Sequence, residues 1–119
     1  MIIKLENLVK KTHGSKAGKY ERASHINGKP SYKKDSYAIW YNGENSWMIG
    51  YIENHGTSIG SIYANNNFGG LTDEENEWKY QFFGWKIAGN DDVIAECSGN
   101  SQLLPNFFSL LSFCHQILA

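Results

Sequence analysis

Residues 30–64 read PSYKKDSYAIWYNGENSWMIGYIENHGTSIGSIYA, and the spacing of their aromatics decides the fold. Tyr37, Ile39 and Tyr41 alternate with Ala38 and Trp40. Trp47, Ile49 and Tyr51 alternate with Met48, Gly50 and Ile52. A period of two is the signature of extended chain. Between the runs stands Asn42-Gly43, a dipeptide that tolerates positive φ, so the pair predicts a β-hairpin. With a two- or four-residue loop, residues 38 and 40 share a face with 47, 49 and 51. The four-residue loop sets Trp40 opposite Trp47, a cross-strand pair that can add up to about 1 kcal/mol. Tyr37, Ile39, Tyr41, Met48 and Ile52 then fall on the other face. Both faces are apolar or aromatic, so the hairpin is either central in the fold or exposes an aromatic surface.

Outward from the hairpin, short strands and turns continue. Leu5–Lys10 fits strand and helix spacing alike, and the early turn cluster at residues 12–15 favours a strand. Residues 18–22 form a short polar strand. His25–Pro30 reads as a turn, because glycine frees φ and proline forbids further ladder pairing. A strand at Ile59–Ala64 and a long polar loop to Glu77 follow. Trp78, Tyr80 and Phe82 alternate with Lys79 and Gln81, then Trp85–Ile87 and Val93–Cys97 complete the series. The expected class is mainly all-β: an antiparallel meander or small barrel-like sheet of about six to eight short strands. From Ser98 onward there is no charged residue, and Phe107, Leu110, Leu111, Cys114, Ile117 and Leu118 recur at helical spacing. The expected division is a β-rich domain over 1–97 and an amphipathic C-terminal helix over 98–119, packed on the sheet or at a homodimer interface.

The 119 residues suffice for one domain with its own core. The net charge of −1 conceals a split. Residues 1–34 hold nine basic and two acidic side chains, residues 35–119 two basic and ten acidic ones, which is +7 against −8. Such polarity suits an anionic partner or a solvated basic face. Arg22 is the only arginine, which disfavours nucleic acid, since bidentate phosphate and guanine contacts call for arginine. Two cysteines, Cys97 and Cys114, make no disulfide framework, and residues 1–11 lack the apolar core of a signal peptide. Reduced thiols and a cytoplasmic location are expected. No segment has the length and flanks of a membrane span.

The ordered set Gly18–Arg22, Asn27-Gly28-Lys29-Pro30-Ser31-Tyr32-Lys33, Tyr37–Tyr41, Trp47-Met48-Ile49-Gly50, Ile62-Tyr63-Ala64 and Trp78 resembles a β-rich module that recurs in multidomain eukaryotic proteins, notably of protists and algae. The likeness covers roughly residues 5–97, with Asn27–Gly50 its most specific part. It implies an accessory, non-catalytic module and fixes no ligand, since a fold does not fix a function.

Three functional readings follow. The first is a binding module for protein or carbohydrate, with Tyr37, Tyr41, Tyr51, Trp40, Trp47, Lys33 and Lys34 as its surface, because exposed Trp and Tyr give rigid contact area at low entropic cost. The second is a small enzyme using Glu53 and His55, with His25 or Asp35 nearby, as an acid–base pair. The third is a polyanion binder using Lys10, Lys11, Lys16, Lys19, Lys33 and Lys34 interleaved with Tyr20 and Tyr32. No cofactor is implied, and His13, His25, His55 and Cys97 lack metal-type spacing.

Overall fold

Ten strands and one short helix run through residues 1–66 and 70–97, which the computed structural model describes. They are β1 (Ile2–Leu5), α1 (Asn7–His13), β2 (Gly18–Lys19), β3 (Glu21–Ile26), β4 (Lys29–Lys34), β5 (Tyr37–Tyr41), β6 (Ser46–Tyr51), β7 (Ile62–Asn65), β8 (Glu77–Gln81), β9 (Trp85–Ile87) and β10 (Val93–Glu96). Seven of them, β3 to β9, form an antiparallel meander in chain order. The others make a small antiparallel sheet ordered β10-β1-β2. The mainly antiparallel β class holds. The predicted helix over 98–119 lies outside the described residues.

The hairpin β5–β6 sits at the centre of the meander, but one residue out of the expected register. Tyr41 faces Trp47, Trp40 faces Met48 and Ile39 faces Ile49. The cause is Asn42. Its backbone N–H donates to Ser46 O (2.9 Å), which makes it the last pair before the turn. Its side-chain Oδ1 accepts from the backbone N–H groups of Glu44, Asn45 and Ser46 at 3.0, 3.1 and 3.0 Å. Residues 43–45 therefore form a three-residue loop, with Gly43 at φ +90°. An odd loop moves every side chain of one strand to the other face relative to the even loops expected.

Tyr32, Ile39, Tyr41, Trp47, Ile49, Ile62, Ala64, Trp78 and Tyr80 consequently line one face. On it pack Ile3 and Leu5 of β1 with Met1 just before it, Val9 of α1, and Val93 and Ala95 of β10. The opposite face carries Ala38, Trp40 and Met48, flanked by Ile26, Ile52 and Tyr63. Its cover is the β6–β7 connection, residues 52–61. Trp40 donates its indole N–H to Thr57 O (2.8 Å), Asn42 Nδ2 donates to Ser58 Oγ (3.3 Å) and Asn27 Nδ2 to Gly56 O (3.1 Å). Gly50 and Gly60 let the strand and the loop touch: a Cβ on Gly50 would stand 3.1 Å from Gly60 Cα. Trp40 and Trp47 are both fully buried.

Several expectations are corrected. Leu5–Lys10 is not one strand: β1 ends at Leu5 and α1 takes over at Asn7. Asn7 has φ +57°, a value asparagine tolerates, and its Nδ2 donates to Asp92 Oδ1 (2.7 Å), which turns the chain. The turn expected at His25–Pro30 contracts to Asn27-Gly28. Pro30 pairs with His25 inside the ladder. It stands past the last β4–β5 pair, where its missing N–H has no ladder bond to lose. The strand expected from Ile59 starts at Ile62, because residues 59–61 belong to the covering loop. Cys97 is disulfide-bonded, not the reduced, packed thiol expected.

Candidate functional site

The seven residues expected to form a binding surface separate into three groups. Trp40, Trp47 and Tyr41 are core. Lys33 is exposed on the Ala38 face, apart from the others. Tyr37, Tyr51 and Lys34 come together at one corner of the sheet.

Register builds that corner. Tyr37 and Tyr51 are the last cross-strand pair of β5–β6, with ring centroids 5.4 Å apart. The 3₁₀ turn Gly14–Lys16, which continues directly from α1, delivers Lys16 beneath them. Lys16 Nζ lies 5.1 Å from the centroid of each ring. Lys34 Nζ lies 5.8 Å from the Tyr37 ring and donates to Ser15 O (3.0 Å). Ser15 Oγ meets the Tyr37 hydroxyl at 2.9 Å. Tyrosine faces are electron-rich, so two ammonium groups share one aromatic pair.

Lys16 is 4% exposed, which is unusual for a lysine. Its ammonium makes one hydrogen bond, to His13 Nδ1 at 3.3 Å. No carboxylate reaches it among the described residues; the ion pairs there join Lys4 to Glu96, Lys19 to Glu21 and Lys34 to Asp35. Burial holds its pKa below the ordinary lysine value, while the adjacent Tyr37 acts in the opposite direction. His13 also donates from Nε2 to Gln81 O (2.7 Å), which leaves Nδ1 as the acceptor for Lys16. Burial lowers the His13 pKa, and this hydrogen bond opposes the shift. The imidazole is held neutral and buttresses the ammonium. Sequence reasoning grouped Lys16 with the other N-terminal lysines and missed His13 and Ser15 here. No periodic signal marks them, because a seven-residue helix and a 3₁₀ turn place them.

Glu53 and His55 are both exposed on the covering loop. His55 Nδ1 contacts Ile52 O at 2.5 Å, not a carboxylate. A cleft of about 660 Å³ lies elsewhere, lined by residues 71–78, 87–91 and 93–95. Its wall carries Asp73, Glu74, Glu75, Glu77 and Asp91, so it is strongly negative. Among the described residues no three His, Cys, Asp or Glu side chains assemble as a metal set, and no helix is long and apolar enough to cross a membrane.

Three exposed large apolar residues lie together at the far edge, on the β8–β9 hairpin: Phe83 at 90%, Trp85 at 48% and Ile87 at 65%, while Ile59 on the covering loop is 64% exposed. Sequence reading placed Trp85 and Ile87 in a strand but gave them no role. Compared with known proteins, the chain matches no family model, no curated protein and no solved structure.

Proposed function

We propose that this chain is a non-catalytic binding module and that the Tyr37–Tyr51–Lys34–Lys16 corner is its receptor for an anionic group on a partner protein. One observation carries the reading: a buried ammonium that no carboxylate reaches among the described residues, beneath Tyr51, which is 46% exposed. A buried cation normally has a counter-charge. Here aromatic faces and a neutral imidazole substitute for it, and a partner's carboxylate at the Tyr51 rim would complete the set. The resemblance to an accessory module of multidomain proteins fits this reading. The acid–base alternative has its two candidate groups on an open loop, away from the cleft.

The test is titration with a soluble oligo-glutamate peptide, followed by amide chemical shifts of the full chain. Shifts should centre on Tyr37, Tyr51, Lys34 and Lys16. The affinity should fall as salt rises from about 50 to about 300 mM, as screening of an ion-dependent contact requires. Tyr51→Ala should weaken binding with little loss of stability. Shifts scattered over all exposed lysines would refute the site, and binding insensitive to salt would refute its chemistry. Heparin run in parallel separates a protein-carboxylate receptor from a general polyanion binder.

A further inference from the structure

The two edges of the meander are built in opposite ways. β3, the first edge, carries Glu21, Arg22 and His25 and is broken by a register shift between Arg22 and His25. Charge and irregularity of this kind prevent a sheet edge from pairing with another strand. β9, the other edge, is regular, and no strand joins its outer side among the described residues. Ala88 N–H donates to Trp78 O (2.9 Å) and Phe82 N–H to Gly84 O (2.8 Å). With Tyr80 opposite Lys86, alternation along an antiparallel ladder assigns Lys86 the inward bonds and turns the N–H and C=O of Trp85 and Ile87 outward. The side chains of those two residues stand on the face shared with Tyr63 and Lys79. The Trp85 ring packs edge-on against Tyr63 at 4.8 Å.

We infer that β9 is a docking edge, at which an extended segment of another protein adds antiparallel as an eighth strand. Charge specifies that segment. Lys79 and Lys86 are the only basic residues in 35–119, and both lie on this hairpin. The acidic cleft begins where β9 ends, with Ile87 and Asp91 in its wall. An antiparallel partner starts beside the cleft and runs toward Phe83. It therefore needs basic residues first, then apolar side chains over Ile87 and Trp85 with a carboxylate between them opposite Lys86. A second copy of this chain fits poorly, because twofold pairing centred on β9 sets Lys86 against Lys86. Residues 98–119 fit poorly too, since they hold no charged residue to answer either Lys86 or the cleft.

The probe is the peptide Lys-Lys-Val-Glu-Val-Thr, titrated into the full chain while amide hydrogen exchange is followed. In the free protein the Trp85 and Ile87 amides should exchange quickly and the Lys86 amide slowly. Saturating peptide should slow Trp85 and Ile87 by at least about tenfold and leave Lys86 unchanged. Lys86→Glu should lower the affinity about three- to fivefold, and the charge-swapped peptide Glu-Glu-Val-Lys-Val-Thr should bind more weakly than the original. Tyr51→Ala should change none of this, so the edge and the tyrosine corner fail or succeed separately. Trp85 and Ile87 amides already slow without peptide would overturn the proposal. Concentration-dependent slowness would assign the edge to a second copy, and concentration-independent slowness to the chain itself. Unchanged exchange at saturating peptide would overturn it as well.

Discussion

Replacing Trp40 and Trp47 separately with phenylalanine gives the sharpest test of how the two faces are held. Both side chains are fully buried, and both substitutions remove the same part of an indole. The loss of packing volume is therefore similar and largely cancels in the comparison. The N–H groups differ. At Trp40 the indole donates to Thr57 O at 2.8 Å, and losing such a bond costs about 1 kcal/mol. At Trp47 the indole N–H is buried with no partner among the described residues, a burden of about 1–3 kcal/mol that phenylalanine removes. Trp40→Phe should thus be more destabilising than Trp47→Phe by about 2–4 kcal/mol. Urea unfolding monitored by circular dichroism reads this as a midpoint gap of about 1 M or more, with slopes unchanged. In the Trp40 variant, amide exchange in residues 52–61 should quicken first, because the indole fastens that loop to the sheet. Equal midpoints, or a greater loss at Trp47, would refute the assignment of the two indoles.

Gly50→Ala should cost about 1–3 kcal/mol in the same assay, because the new Cβ meets Gly60 Cα, which is backbone and cannot rotate away. A neutral outcome would mean that the covering loop does not lie against β6. The pH dependence follows from His13, whose folded pKa lies below the ordinary value of 6.5. Between those two values the unfolded chain binds the extra proton, so stability should fall as pH drops through about 6.5 and level off below the folded value. His13→Gln should flatten that slope in urea midpoints measured between about pH 7.5 and 5, and an unchanged slope would count against the neutral imidazole. Asn42→Ala should lower the urea midpoint, by a loss of about 1–2 kcal/mol, because the acceptor that sets the three-residue loop is gone.

The strands were legible because alternation is written into the sequence, as at Trp78-Lys79-Tyr80. Their register was not. The Asn42-Gly43 signal marks the turn, yet loop length depends on whether Asn42 accepts bonds from three later N–H groups, and no period reports that. Leu5–Lys10 failed for a related reason: Leu5, Leu8 and Val9 fit helical spacing in a segment short enough for a strand, and the decision rests on Asn7 bonding to Asp92 at a sequence separation of 85. The candidate site was half legible. Tyr37, Tyr51 and Lys34 lie on strands whose pairing can be guessed, whereas Lys16 arrives by a 3₁₀ turn with no sequence signature.

The sequence poses an energetic problem, and its solution bears on function. A central hairpin with two aromatic faces must have both covered, at roughly 25 cal/mol for each Å² of apolar surface removed from water. One cover is the small sheet with α1, and the other is the 52–61 loop, only ten residues long. That loop reaches Trp40 and Met48, and then the chain turns back into β7. The face continues past it to Trp85 and Ile87, which remain in water. At the other end the first cover stops at the 3₁₀ turn, so Lys16 is enclosed but Tyr51 is not. Both candidate surfaces therefore lie where a cover ends, and the apolar surplus that the sequence puts on the hairpin faces is displaced to the rims. This makes a linked expectation: lengthening the 52–61 loop with apolar residues should bury Trp85, blue-shift its fluorescence and raise stability, while removing strand docking at β9. Retained docking in such a variant would mean that the edge backbone alone, without the exposed Trp85 and Ile87 side chains, suffices for binding.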